Sequence, residues 1–191
     1  MNICVYGSAH NMIDQKYIIR GEILGEKLAK RGHSLIYGSG STGMMGAAFR
    51  GFKKGGGSVH GVVPEFFRKE GYETVCYSCD KTTWTETIAE RKKIMEDECD
   101  AFIIAPGGIG TMEEFFEALT LKQLNRHNKS IVLYNIFGYF DGLQKLFEKM
   151  VDEKFISNEC LNIYKISDND EEIINHIENY KEKELKIILK K

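Results

Sequence analysis

The run Pro106-Gly107-Gly108-Ile109-Gly110-Thr111 places three glycines within four positions, directly ahead of Met112, Glu113 and Glu114. Glycine lets backbone amides come close to an anion, and a helix opening at Thr111 adds unpaired N–H groups and a positive dipole end. Phosphate is the natural guest of such a loop; a tight ligand-free turn is the bland alternative. Glu114 fits two roles. Thr111 to Glu114 has the spacing of a capping box, in which the carboxylate reaches back to the cap amide. A carboxylate at the mouth of an anion loop also suits a base or a stabiliser of developing positive charge. A carboxylate fully engaged by backbone is a poorer base, so the two roles hold together only in part.

Arg91 is the second chemical signal. On a helix expected from Thr85 to Glu98, the spacing Trp84, Ile88, Arg91, Met95 puts it in the middle of an apolar stripe. A guanidinium there needs an anionic partner or a cleft, because an unpaired buried charge is very costly. Arg91 precedes Cys99 by about 12 Å of helix, and a strand at Ala101 to Ala105 climbs about 13 Å in return. Arg91 is therefore predicted level with the mouth of the Pro106 loop, with a structural ion pair as the competing explanation.

Other motifs carry less. Gly38 to Gly43 matches GxGxxG, with Glu65 some twenty residues on, as in dinucleotide-binding units. It follows the second strand rather than the first, however, and a nicotinamide enzyme has no evident use for a second glycine loop at Pro106. No GxxxxGK[ST] run occurs. Cys76 and Cys79 could be half of a zinc site, but no second pair or close histidine completes four ligands. Trp84, Phe115 and Phe116 read as core rather than as base-stacking groups.

These residues need a frame that brings loops together. Asn2 to Tyr6, Ser34 to Tyr37, Val59 to Val63, Ala101 to Ala105 and Ser130 to Tyr134 read as buried strands. Helices are expected at about Gln15 to Arg31, Met44 to Gly55, Thr85 to Glu98 and Thr111 to Arg126, and near Phe140, where Phe140, Leu143, Phe147 and Met150 share a face. Strands separated by helices pair in parallel with right-handed crossovers, giving a single-domain, Rossmann-like, doubly wound α/β fold over residues 1–191. Ligands then bind beyond the carboxyl ends of the strands, where the loop Gly7-Ser8-Ala9 joins the other two. A last helix is expected at about 169–191, its lysine-rich end from Lys181 to Lys191 read as a solvated face.

Of 191 residues, 42% are hydrophobic and 28% charged, and the net charge is −2 with both signs interspersed. That argues against a dedicated nucleic-acid or membrane surface. The N-terminus lacks the pattern of a signal peptide, no segment approaches the ~18 apolar residues of a membrane span, and five cysteines suit a reducing cytoplasm.

The run PGGIGTMEE from Pro106 to Glu114, Glu90-Arg91-Lys92 upstream, and YGSGSTGMMG from Tyr37 to Gly46 resemble the LOG (Lonely Guy) family of cytokinin riboside 5′-monophosphate phosphoribohydrolases, many once labelled lysine decarboxylases. The resemblance spans roughly Asn2 to Asp152. It implies hydrolysis of the N-glycosidic bond of AMP or an N6-substituted adenosine monophosphate, in a homodimer without metal or organic cofactor. It assigns catalysis to Arg91 and Glu114, and substrate binding to Lys92, Gly107, Gly108, Ile109, Gly110, Thr111, Met112, Glu113 and Thr120. Ser39, Met44, the Thr87-Ile88-Ala89 stretch and the longer segment around Cys76 to Lys81 depart from the family pattern. A substrate-contacting glutamate is expected near that segment, with Glu65 as candidate. The alternative from another class is a nucleotide or cofactor carrier on the same fold, which needs the glycine loops but not Arg91 and Glu114 together.

Overall fold

A computed structural model describes residues 1–181. Seven strands form one sheet: β1 (Asn2–Tyr6), β2 (Ser34–Tyr37), β3 (Val59–Pro64), β4 (Lys81–Thr85), β5 (Ala101–Ile104), β6 (Ser130–Tyr134) and β7 (Lys165–Ser167). Their order is β4-β3-β2-β1-β5-β6-β7, and every neighbouring pair is parallel. The central strands are apolar throughout because both faces are covered. On one face α1 (Gln15–Lys30), α2 (Gly43–Lys54) and α7 (Asp170–Glu178) pack Leu24, Leu28, Phe52 and Ile173 against Ile3, Val5 and Ile103. On the other, α4 (Ile88–Glu98), α5 (Ile109–Gln123) and α6 (Asp141–Asp152) pack Met95, Phe115 and Phe147 against Cys4, Phe102 and Ile104.

The doubly wound α/β expectation is met, and three elements are added to it. A polar edge strand, β4, occupies Lys81–Thr85, so Trp84 belongs to the sheet and not to a helical stripe. The following helix starts later than expected, at Ile88, because Thr87 caps it: the Thr87 side chain accepts from the Glu90 amide and the Glu90 carboxylate returns to the cap backbone. A short helix, α3 (Glu65–Glu70), follows β3, and β7 closes the far edge. The helix expected at about 169–191 begins at Asp170 and ends at Glu178, short of the expectation, while of its lysine-rich end from Lys181 to Lys191 all but Lys181 falls outside the described part. Among the described residues, no helix is long and apolar enough to cross a membrane.

The chain winds outward from β1 in both directions, so the switch point lies between β1 and β5, where a cleft opens by necessity. There the loops after the two strands touch: the Ser8 amide donates to the Pro106 carbonyl at 3.1 Å.

Candidate active site

A cleft of about 790 Å³ opens at this switch point. One wall is the start of α5. Gly108 is its N-cap and supplies no side-chain cap, so the first-turn amides of Ile109, Gly110 and Thr111 have no carbonyl one turn back to bond. All three residues line the cleft, with the Ile109 side chain 92% exposed. Gly107 lies beneath them, where a Cβ would come within 2.1 Å of Thr111 Oγ1 and 2.9 Å of the Ser8 nitrogen, so only glycine fits. Because α5 starts at Ile109 and not at Thr111, Glu114 is the sixth helical residue. A capping box needs its glutamate at the third, so the capping alternative falls and the Glu114 carboxylate is free for the cleft.

Arg91, only 6% exposed, reaches the same place from α4. Its Nε donates to the Val62 carbonyl at 3.1 Å, its guanidinium lies 5.5 Å from the centre of the Phe67 ring, and Nη1 stands 4.0 Å from Glu114 Oε1. Of the apolar stripe expected around it, only Met95 is buried on the helix; Ile88 is exposed at the cleft. The guanidinium rests on Gly38, where a Cβ would lie 1.6 Å from Nη2. The GxGxxG-like loop therefore makes room for an arginine. It also holds the next segment in place: the Ser41 amide donates to the Thr74 carbonyl, the Cys76 amide to the Ser39 carbonyl, and Gly40 bridges Val75.

That segment brings in a residue the sequence pattern did not single out. Glu73 lines the cleft, and its Oε2 is buried without a hydrogen-bond partner among the described residues. Burial raises its carboxyl above the ordinary value, and Arg91 opposes the rise. Glu114 is pushed up to about 7, chiefly by burial; Arg91 pulls it down, while Glu113 and Glu73 push it up. Two buried carboxyls thus lie within the electrostatic reach of one guanidinium at the cleft, an arrangement typical of acid–base chemistry. Glu65, the candidate from the sequence, pairs with Arg68 at 2.9 Å on α3 and does not line the cleft. Glu73 sits in an irregular loop without periodicity, so nothing in its spacing marked it.

The remaining sequence-predicted positions divide. Gly108, Ile109, Gly110, Thr111, Glu113, Glu114 and Arg91 meet at the cleft. Lys92 turns instead to Glu113 and Glu117 on the flank of α5, and Met112 packs half-buried against the core. Thr120 is exposed, nine residues and about 13 Å along α5 from Thr111. Cys76 and Cys79 lie behind the cleft, the Cys79 Sγ 3.5 Å from the Tyr37 hydroxyl.

Gly38 offers a direct test of the arginine's seat. In Gly38→Ala the new methyl meets the far end of a flexible side chain, so the fold should adjust cheaply while the guanidinium is displaced. The expected outcome is a melting temperature near that of wild type with activity lowered at least about tenfold. Unchanged activity would show that Arg91 does not need this seat.

Residues 45–177 match the family described as "Possible lysine decarboxylase". The cytokinin riboside 5′-monophosphate phosphoribohydrolase of Mycobacterium tuberculosis is 36% identical over 76% of this chain and 77% of its own length. One from Arabidopsis thaliana is 34% identical over 93% of this chain and 81% of its own. The chain belongs to the LOG family. Solved structures add the fold alone: a molybdenum cofactor binding protein from Rippkaea orientalis superposes with a TM-score of 0.69 at 24% identity, covering 93% of this chain and 94% of that one. The Chlamydomonas reinhardtii molybdenum cofactor carrier gives 0.68 at 22%, covering 93% and 95%. The fold is thus shared with a cofactor-binding and a cofactor-carrying protein.

Proposed function

We propose that this LOG-family chain is an N-glycosyl hydrolase that cleaves adenosine 5′-monophosphate, or an N6-substituted form of it, into free base and ribose 5-phosphate. The observation that carries the reading is the opposition of Arg91 and Glu114 at 4.0 Å beside the open N-terminus of α5. A site built only to carry a nucleotide has use for the amides but none for a half-ionised carboxyl facing a buried guanidinium. The names of the relatives point the same way.

Hydrolysis breaks the bond between C1′ and the base nitrogen, with positive charge growing on the sugar and negative charge on the base. The amides of Gly108 to Thr111 hold the 5′-phosphate at the dipole's positive end. Glu114 in its carboxylate form faces the sugar, where it stabilises the oxocarbenium-like centre or takes the proton of the attacking water. Arg91 offsets charge on the departing base, which leaves with a proton while the hydroxyl of water goes to C1′. Lys92 serves this site through Glu113, whose carboxylate it holds.

The test is base release followed by chromatography with AMP, isopentenyladenosine monophosphate and adenosine. The monophosphates are expected to exceed the nucleoside by about 10²-fold or more in kcat/KM, because several charge-assisted hydrogen bonds orient the phosphate. Equal rates would remove the α5 loop from the mechanism, and binding without release would make the protein a carrier.

The enzyme is further proposed to act as a cytoplasmic homodimer. Phe116 on α5 and Leu124 at its C-cap, 37% and 47% exposed, flank the exposed Thr120 at one-turn spacing, apolar surface suited to a second copy. Thr120 lies too far along that helix to reach its own cleft and would serve a partner's.

A further inference from the structure

The amides proposed to bind phosphate begin at a glycine that is open on one side. Gly108 is exposed, and a Cβ there would meet nothing within 4 Å among the described residues, so none of them fixes the rotation of the peptide between Gly107 and Gly108 from that side. On the other side there is one fixed point: the Tyr139 hydroxyl donates a 2.7 Å hydrogen bond to the Gly107 carbonyl. The carbonyl of Gly107 and the N–H of Gly108 belong to one planar peptide and point in opposite directions. Anchoring the oxygen therefore sets where the amide points, toward the cleft that Gly108 lines.

Tyr139, though 45% exposed, is positioned by a defined turn and by ring contacts. It follows Phe137 and Gly138, which adopt left-handed conformations with φ of 55° and 72° in the turn after β6. Its ring meets Phe140 edge-on at 5.1 Å and Tyr17 of α1 at 6.1 Å. The Phe140 amide donates to the Asn135 side chain at 2.7 Å, and the Tyr139 amide to the Ile136 carbonyl at 3.2 Å. A non-glycine residue in the left-handed region is costly, and here the turn places the hydroxyl on the phosphate loop.

We infer that Tyr139 is a positioning residue of the active site, its hydroxyl orienting the Gly107–Gly108 peptide so that the Gly108 amide addresses the 5′-phosphate. The inference rests on the proposed phosphate role of the α5 loop. Tyr139 is not among the residues lining the cleft and acts through the carbonyl.

The experiment compares wild type with Tyr139→Phe, which keeps the ring and its packing and removes only the donor. kcat/KM for AMP should fall about three- to tenfold, the range of one hydrogen bond, with the change in KM and kcat nearly kept. Turnover of adenosine should stay within twofold, and binding of ribose 5-phosphate, followed by calorimetry, should weaken by the same factor as AMP. A purely structural hydroxyl would lower the melting temperature and leave the AMP-to-adenosine ratio where it was. That outcome, or an unchanged variant, overturns the inference. If wild type releases no base from AMP, the proposed reaction fails on its own, while the ribose 5-phosphate comparison still decides the role of Tyr139.

Discussion

Glu114→Gln is expected to cut base release from AMP by on the order of 10²- to 10⁴-fold at neutral pH, because an amide of the same shape carries no negative charge and accepts no proton. The helix start gives no reason for it to unfold, since α5 is capped at Gly108 and not by Glu114. The pH profile provides a second readout. Burial holds the carboxyl at about 7, so the carboxylate, and with it the activity, should grow as pH rises through 7 and level off above it. This limb should be missing from whatever activity the Gln variant retains. Activity that falls through 7 would make Glu114 a proton donor and overturn its role as carboxylate.

Stability should move in the opposite sense. The folded protein holds the Glu114 proton more tightly than the unfolded chain, whose value is the ordinary 4.5. Ionising the group therefore costs the fold stability progressively between about pH 4.5 and 7, and fully above that. The difference is worth up to ~3 kcal/mol. Glu114→Gln removes the cost, so the variant should melt higher than wild type above pH 7 and alike near pH 4. A site that gains stability while losing activity is the signature of function held against the fold's own preference. A Gln variant within about threefold of wild-type activity would sink the assignment.

How far the sequence disclosed this site follows from the kinds of pattern each residue belongs to. The buried parallel strands showed as apolar runs because both their faces are covered, and the glycine loops after β1, β2 and β5 stood out because close backbone approach excludes side chains. β4 escaped notice because an edge strand reading Lys-Thr-Thr-Trp-Thr has neither an apolar run nor a clean alternation. Without a strand signal, the spacing of Trp84 to Ile88 and Arg91 reads as helical, although the helix begins only at Ile88. Thr111 to Glu114 has the spacing of a capping box, yet the structure forms one at Thr87 to Glu90, which has the same spacing, and none at Thr111. The glycines decide it, since they let the helix start two residues earlier, and Thr111 becomes an interior position. Glu73 and Tyr139 lie in irregular turns and reach the site through tertiary placement, Glu73 in the cleft within the field of Arg91 and Tyr139 on the Gly107 carbonyl, which no local pattern encodes. The depth of Arg91, by contrast, followed from counting residues along one helix and back along one strand, because both have fixed rises.

Arg91→Ala should be comparably severe, with a loss of about 10³-fold, because Arg91 does two things that Ala cannot. In the proposed reaction it supplies the positive charge beside the departing base, and in the structure it is the strongest influence opposing protonation of both Glu114 and Glu73. Without it both carboxyls rise further, so at pH 7 Glu114 is largely protonated and out of action. The residual activity should then show its limb displaced to higher pH, a shift that loss of a contact to the base alone would not produce. Removing one partner of a buried ion pair ordinarily costs ~3 to 5 kcal/mol because a charge is left uncompensated. Here both carboxyls can take up protons, so the loss of stability should stay well below that range at pH 7 and grow as pH rises. Arg91→Lys separates the two roles: an ammonium restores charge near the carboxyls and should bring the limb part of the way back, yet it cannot make the Nε bond to Val62 while presenting a planar fork to Glu114. The rate should remain at least about tenfold below wild type. Steady-state base release across pH 5 to 9, beside thermal melts of all three proteins, is the measurement. Activity that falls only in proportion to the folded fraction, with the limb unmoved, would reduce Arg91 to a structural ion pair.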